Sequence, residues 1–381
     1  MVITIAHAFF GEGAVSARAR IEARLFLQMG YRVTILTTTL RGLKQFQNDP
    51  LRRAHIVTLH PLSLHRCVRK SARELTFAFK CYNYLKRYIE PGDIDFIIYH
   101  PAVIALFVER FCKKHKLISI FVAHSLTEEM IRYKVNSLDF LTTLVYRLSE
   151  KKAIQNADFV VAISNYMRKG LQSIRKKNSG IVDLPNGIDL SRFTRKWDKE
   201  RSIDILYAGR LAKEKGVDIL FEALGLIPLK PYTCILGEGP EKKRLQALAK
   251  KHHLVNVKFT GHISHDQIHT WMWQAKLIVV PSWCEPQGIV LLESMSSGAT
   301  VVGSDSGAIP ECVRHKKNGW LFPVGDSRKL ASTIHLLLQN PKERIKLSRK
   351  ACKTAKEWDN NHFNSAFKKF ISGINRTTPR S

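Results

Sequence analysis

Short apolar runs that end at a turn residue and lead into a helical period recur along this chain, and that alternation leaves few ways to fold. Ile203-Asp204-Ile205-Leu206-Tyr207-Ala208 runs into Gly209, and a helix is predicted over residues 217–224. Lys276-Leu277-Ile278-Val279-Val280 ends at Pro281, and a second helix is predicted from Ile289 to Met295, stopped at Ser297-Gly298 with Gly298 at C′. Residues 2–6 lead through Gly11-Glu12-Gly13 to an amphipathic helix over about 15–29, capped by Gly30, and then to a strand over 32–36. Strands that are apolar throughout suit a parallel sheet covered on both faces. Repeated strand–helix units place the chain in the α/β class. With 381 residues it can build two such cores. The predicted boundary is Leu184-Pro185-Asn186-Gly187-Ile188-Asp189, dividing residues 1–187 from 188–357, and an amphipathic helix is predicted over about 358–376.

The second half carries the more informative chemistry. Glu285 stands in the loop before the 289–295 helix and Glu293 lies within it, about 7.5 Å further along by helical rise. Gly288 opens that helix, so a ligand can approach backbone there and an anion is favoured by the first free N–H groups. One carboxylate can meet a sugar and the other a ribose. Gly209-Arg210-Leu211-Ala212-Lys213-Glu214-Lys215-Gly216 adds cations between a strand end and a helix start. Each charge about 4 Å from an anion contributes roughly 4 kcal/mol at an effective dielectric near 20. Such fixed charges act most strongly on negative charge that develops in a transition state. In the first half, His124 follows the apolar run 117–123, and strand C-termini in an open parallel sheet face the ligand crevice. His100 has similar placement after Ile97-Ile98-Tyr99 and is read as structural.

Gly209 to Gly216, Gly237-Glu238-Gly239-Pro240, the Glu285/Glu293 pair around GIVLLESMSSG, and Asn318-Gly319 together resemble the retaining GT-B glycosyltransferases of group 1, family 4, most closely over residues 184–325. The resemblance implies two Rossmann-like doubly wound domains facing each other across a cleft, with the last helix returning to the first domain. It also implies roles for named residues. Arg210 and Lys215 would bind the donor diphosphate, Glu293 the ribose, and Glu285 the transferred sugar. The backbone of Gln287-Gly288-Ile289 would line sugar and phosphates, and Gly261-His262-Ile263 would lie near the nucleobase. Gly13, Gly209 and Gly237 would be donor-site glycines, and His124 would stand near the donor sugar. Glu285, Arg210, Lys215 and His124 are thus the expected catalytic set. The implied reaction moves a sugar from a nucleoside-diphosphate sugar to a hydroxyl of a glycan or glycolipid, in the synthesis of lipopolysaccharide or another bacterial envelope polysaccharide. It needs no metal or other cofactor.

Other readings are weaker on the residues. A dinucleotide site wants GxGxxG and an acid at the end of the second strand, where this chain has Thr37-Thr38-Thr39. A phosphorylase or sugar epimerase on the same fold, or a binder of nucleic acid or anionic lipid without turnover, is the alternative. The net charge of +29 is shared between the halves, +14 over residues 1–190 and +15 over the rest, which asks for an acidic partner. No nucleic-acid recognition module accompanies it. A basic helix carrying Arg66, Arg69, Lys70, Arg73, Lys80, Lys86 and Arg87 beside Leu75, Phe77, Phe79, Tyr82 and Leu85 points to an anionic membrane surface. Lys113, Lys114, Lys116 and the run Arg168 to Lys177 extend that half's charge. Seven scattered cysteines without CxxC spacing suggest reduced thiols in a cytoplasm, and residues 1–6 carry no basic leader.

Overall fold

In a computed structural model the described residues are 1–11, 13–40, 49–60, 70–134, 140–175, 180–194 and 200–377. Glu12, Arg66, Arg69 and Lys177, named above, lie outside them, as does one of the seven cysteines, Cys67. The chain divides into two compact units, Met1–Pro185 with Asn364–Ser381, and Asn186–Phe363.

The first unit holds strands β1 (Val2–Ile5), β2 (Val33–Thr37), β3 (His55–Thr58), β4 (Phe96–Tyr99), β5 (Ile118–Ala123), β6 (Phe159–Ala162) and β7 (Ile181–Asp183). They form one sheet in the order β3-β2-β1-β4-β5-β6-β7, parallel at every pairing. β1 and β4 are buried at every position, as expected of strands covered on both faces. Helices Ala14–Gln28 and Lys70–Tyr88 are among those covering it. From the last helix, Asn360–Thr377, Phe367 makes an edge-to-face contact with Phe26 at 5.1 Å and Phe370 one with Phe159 at 5.4 Å.

The second unit repeats the plan with β8 (Ile203–Ala208), β9 (Thr233–Leu236), β10 (Val257–Gly261), β11 (Ala275–Val280), β12 (Thr300–Ser304) and β13 (Trp320–Phe322), parallel in the order β10-β9-β8-β11-β12-β13. In each sheet the chain winds one way from its first strand and then returns to the other side of it. Loops after β1 and β4, and after β8 and β11, therefore part from adjacent strands in opposite directions. Such a switch point is where open parallel sheets take ligands.

The basic helix differs from its sequence-based reading. Phe77 and Leu85 of Lys70–Tyr88 are fully buried in the first core with Ala78 and Cys81, so they face the sheet and offer nothing to a lipid surface. Phe79 and Tyr88 of the same helix are exposed, and a second exposed apolar set lies on helix Phe140–Asn156 at Phe140, Leu141, Leu144 and Leu148. Among the described residues no helix is long and apolar enough to cross a membrane.

Candidate active site

At the second unit's switch point the two loops are tied backbone to backbone. The loop after β8 closes in a 3-10 turn, Lys213–Lys215, and Gly216 then takes left-handed φ of 61° to start helix Val217–Gly225. A Cβ on Gly216 would lie 2.1 Å from the carbonyl oxygen of Pro281, so only glycine lets the loop after β11 come this close. Trp283 N–H donates to Glu214 O at 2.9 Å across the same seam.

That seam puts Lys215 Nζ 2.7 Å from Glu285 Oε2, both side chains partly buried. Ser282 Oγ donates to the same oxygen at 3.4 Å. The carboxylate's own loop is pinned from behind. Ala308 N–H donates to Glu285 O at 2.8 Å, Ser304 Oγ to Ser282 O at 2.5 Å, and Ser306 Oγ to Trp283 O. Beyond it, Gly288 with φ 82° is the N-cap of helix Ile289–Ser296, whose buried Glu293 meets His265 Nε2 at 2.8 Å. The Glu293 hydrogen bond holds the His265 imidazole above its ordinary value, against a smaller opposing effect of burial. The result is a pair of carboxylates, one beside a lysine and one beside a histidine, around a helix N-terminus. This surface can hold an anion flanked by hydroxyl groups.

The first unit's switch point is built differently. Gly13 is the N-cap of helix Ala14–Gln28, and Arg20 donates to Phe9 O and Gly11 O, both at 2.8 Å, fixing the turn before it. From that helix, Arg18 Nε donates to Glu22 Oε1 at 2.5 Å and its NH1 donates to Leu184 O at 3.0 Å and Pro185 O at 3.3 Å. Glu22 Oε2 lies 3.2 Å from His100 Nε2, and His100 Nδ1 lies 3.0 Å from His124 Nε2. Arg18, Glu22 and His100 are buried, and His124 is partly exposed. Burial would raise the Glu22 carboxyl, but Arg18 and His100 outweigh it and hold it below the carboxylate range. Burial pushes His124 well below the ordinary imidazole value, with His100 and Arg18 adding to the shift. Both oxygens of Glu150 accept Thr127 N–H, at 2.9 and 3.0 Å, and anchor the turn that follows His124.

Two family models cover most of this sequence. Glycosyl transferases group 1 matches residues 191–354 and Glycosyltransferase Family 4 matches residues 16–192. The chain belongs to the group 1 glycosyltransferases. It is 26% identical over 271 residues to an uncharacterised glycosyltransferase of Methanocaldococcus jannaschii, spanning 71% of this chain and 73% of that one. It is 29% identical over 170 residues to a putative teichuronic acid biosynthesis glycosyltransferase of Bacillus subtilis, spanning 42% of this chain and only 41% of that relative. An Anabaena protein solved in complex with UDP-glucose shares the fold, with a TM-score of 0.79 at 18% identity over 98% of this chain and 99% of its own. The fold is therefore GT-B, two parallel-sheet α/β domains.

In this glycosyltransferase the site residues named from sequence fall into three groups. Lys215, Glu285, Gly288, Ile289 and Glu293 surround one helix start. Gly209, Gly237 and Gly261 end β8, β9 and β10 side by side, with Gly209 N–H donating to Leu236 O at 3.0 Å and Gly237 N–H to Gly261 O at 2.8 Å. His262 after them is exposed, while Ile263 packs on the apolar cluster around Leu206 and Met272. His124 and Gly13 stand in the first unit.

Two side chains named from sequence are engaged by protein groups. Arg210 does not join Lys215 on Glu285. It pairs with Glu214 within its own turn and is half exposed, because the side chain leaves the strand end on the solvent side. The Gln287 side chain is buried and committed elsewhere, accepting from Asn186 N–H and donating to Asn186 O, both at 3.0 Å, so only its backbone is left for a ligand. His265, Glu22 and Arg18 were not singled out from sequence, and His100 was read as structural. His265 stands two residues beyond Gly261-His262-Ile263. For Arg18 and Glu22, i,i+4 spacing marks a surface pair in most helices, so only their burial reveals them.

Proposed function

We propose that this glycosyltransferase moves a sugar, with retention of configuration, from a nucleoside-diphosphate sugar to a hydroxyl of a glycan or glycolipid in envelope polysaccharide synthesis. The anomeric carbon–diphosphate oxygen bond breaks, a bond to the acceptor oxygen forms, and the hydroxyl proton leaves with the products. The observation that carries this reading is Lys215 Nζ at 2.7 Å from Glu285, beside the N-terminus of helix Ile289–Ser296. Lys215 has three N–H donors and commits one to Glu285. The others, with Arg210 and the first N–H groups of the helix, stabilise charge on a departing diphosphate without recourse to a metal. Glu293, oriented by His265, accepts from vicinal ribose hydroxyls, and Glu285 lies against the transferred sugar. The donor binds in the second unit and the acceptor in the first. Resemblance to the teichuronic acid relative supports an envelope glycan as acceptor.

Thermal-shift screening with UDP-, GDP- and ADP-sugars tests the donor. A ligand at 100 times its Kd adds about 2.7 kcal/mol. Failure of all three families to shift the transition would reject the reading.

The exposed face of Phe140–Asn156 supports peripheral association with an anionic membrane. Phe140, Leu144 and Leu148 recur at helical spacing with exposed Lys151 on the same face, in a chain of charge +29. Co-sedimentation with phosphatidylglycerol vesicles should fall when Phe140 and Leu144 become serine. Unchanged binding removes this face from consideration.

A further inference from the structure

The buried chain Arg18–Glu22–His100–His124 specifies where protons sit. Arg18 is always charged and has no acceptor, so its Nε–H donates to Glu22 Oε1. Glu22 is held ionised by its neighbours and can only accept, and its Oε2, 3.2 Å from His100 Nε2 without a well-aligned hydrogen bond, repels a lone pair there and so selects the ring with its proton on Nε2. Arg18 and Glu22 already neutralise each other, and an additional buried charge on His100 would have no counter-ion. His100 is therefore neutral and its Nδ1 carries a lone pair. That atom lies 3.0 Å from His124 Nε2, so His124 carries its proton on Nε2 and donates inward. The other nitrogen of His124, Nδ1, is then a bare acceptor on a partly exposed ring at the C-terminal end of β5.

We propose that Glu22 and His100 are positioning residues that hold His124 in the tautomer whose Nδ1 accepts a hydrogen bond, so that this end of the sheet recognises a substrate hydroxyl and discriminates against a carboxylate or phosphate. The tautomer follows from the buried chain alone; the hydroxyl rests on the sugar-transfer reading above. Arg18 completes the device, because it dictates which atom of residue 22 must be the acceptor.

This yields a specific inversion. In Glu22→Gln the carbonyl oxygen must face Arg18, which leaves the amide N–H groups facing His100 Nε2. His100 then takes its proton on Nδ1 and donates to His124 Nε2, and His124 is left protonated on Nδ1. Long-range proton–nitrogen correlation spectra of the full chain labelled with 15N-histidine read this directly, with His124 assigned by its loss in His124→Gln. Wild type should show an unprotonated Nδ1 at His124, and Glu22→Gln a protonated one, with kcat for transfer reduced about tenfold or more and an unchanged far-UV spectrum. If Glu22→Gln does not fold, His100→Phe removes the acceptor and should leave His124 as a mixture of both tautomers. A protonated Nδ1 in wild type, or a wild-type pattern in both variants, overturns the relay. An inverted tautomer with unchanged kcat and KM overturns the substrate hydroxyl. A wild-type tautomer as described in a chain that transfers no sugar from any nucleotide donor would sink the sugar-transfer reading and leave the relay standing.

Discussion

The two units use the same strand order at their switch points and fill them with opposite electrostatics. In the first, Arg18, Glu22 and His100 are buried against one another, so the charges are spent on holding geometry. In the second, Lys215 and Glu285 are partly exposed and His265 largely so, and their charges remain open to a ligand. A buried pair is costly to break and contributes little to binding an ion, whereas a half-exposed pair is cheap to separate and can exchange one partner for a phosphate. The fold supplies two equivalent crevices, and burial decides which one fixes shape and which one meets charge.

The largest effect expected from this contrast is on stability. Glu22→Ala leaves Arg18 as an uncompensated buried charge and should cost about 3–5 kcal/mol, while Glu285→Ala should cost about 1 kcal/mol or less. All six tryptophans fall between residues 186 and 363 of the sequence, and the five among the described residues lie in the second unit. In urea unfolding, Glu22→Ala should therefore lower the midpoint seen by far-UV circular dichroism more than the one seen by tryptophan fluorescence. Equal shifts by both probes would end the claim that the charge acts within the first unit.

Next in size is catalysis at the second. Lys215→Ala should lower kcat/KM for transfer about 10²- to 10³-fold, as removal of one fixed group facing transition-state charge does, with little change in the urea midpoint. A near-normal rate with an authentic donor and acceptor would break the assignment of charge-meeting to this unit. Smaller again, Glu293→Gln should raise the donor KM by roughly tenfold to a hundredfold, from loss of charge-assisted hydrogen bonds of about 1.5–3 kcal/mol, with a lesser fall in kcat.

The smallest effect is in pH and runs in opposite directions in the two units. His265 has a raised value, so its pairing with Glu293 stabilises fully below the unfolded imidazole value of about 6.5 and is lost as pH rises through the folded one. His124 has a depressed value. Below about pH 6.5 the unfolded chain takes up a proton that the folded one refuses, so its contribution declines on acidification. Thermal melts between pH 5 and 8 should show His265→Gln losing stability mainly on the acid side. His124→Gln should flatten the acid-side decline. The reverse pattern would contradict both environments.

Much of this was legible beforehand because it depends on local rules. β8 was placed at its observed bounds, and the helix before Gly298 was placed within a residue of its observed end, from apolar runs and Gly or Pro punctuation. The tie between Lys215 and Glu285 was expected only as proximity to a shared ligand, and tertiary contact through Gly216 and Pro281 turned it into an ion pair. Arg210 was expected as a diphosphate ligand, and its pairing with Glu214, four residues on, became visible only in the fold. Phe77 and Leu85 were taken as a lipid-facing set because helical periodicity identifies an apolar stripe without saying what covers it.

The sequence alone determined the α/β class and the two-core organisation, since strand periodicity and turn chemistry are properties of neighbouring residues. Only tertiary structure decided that Glu22 faces His100, that His265 orients Glu293 and that Gln287 is spent on Asn186. Those outcomes turn on which side chains lose water together, and dehydration is set by packing among residues up to 101 positions apart.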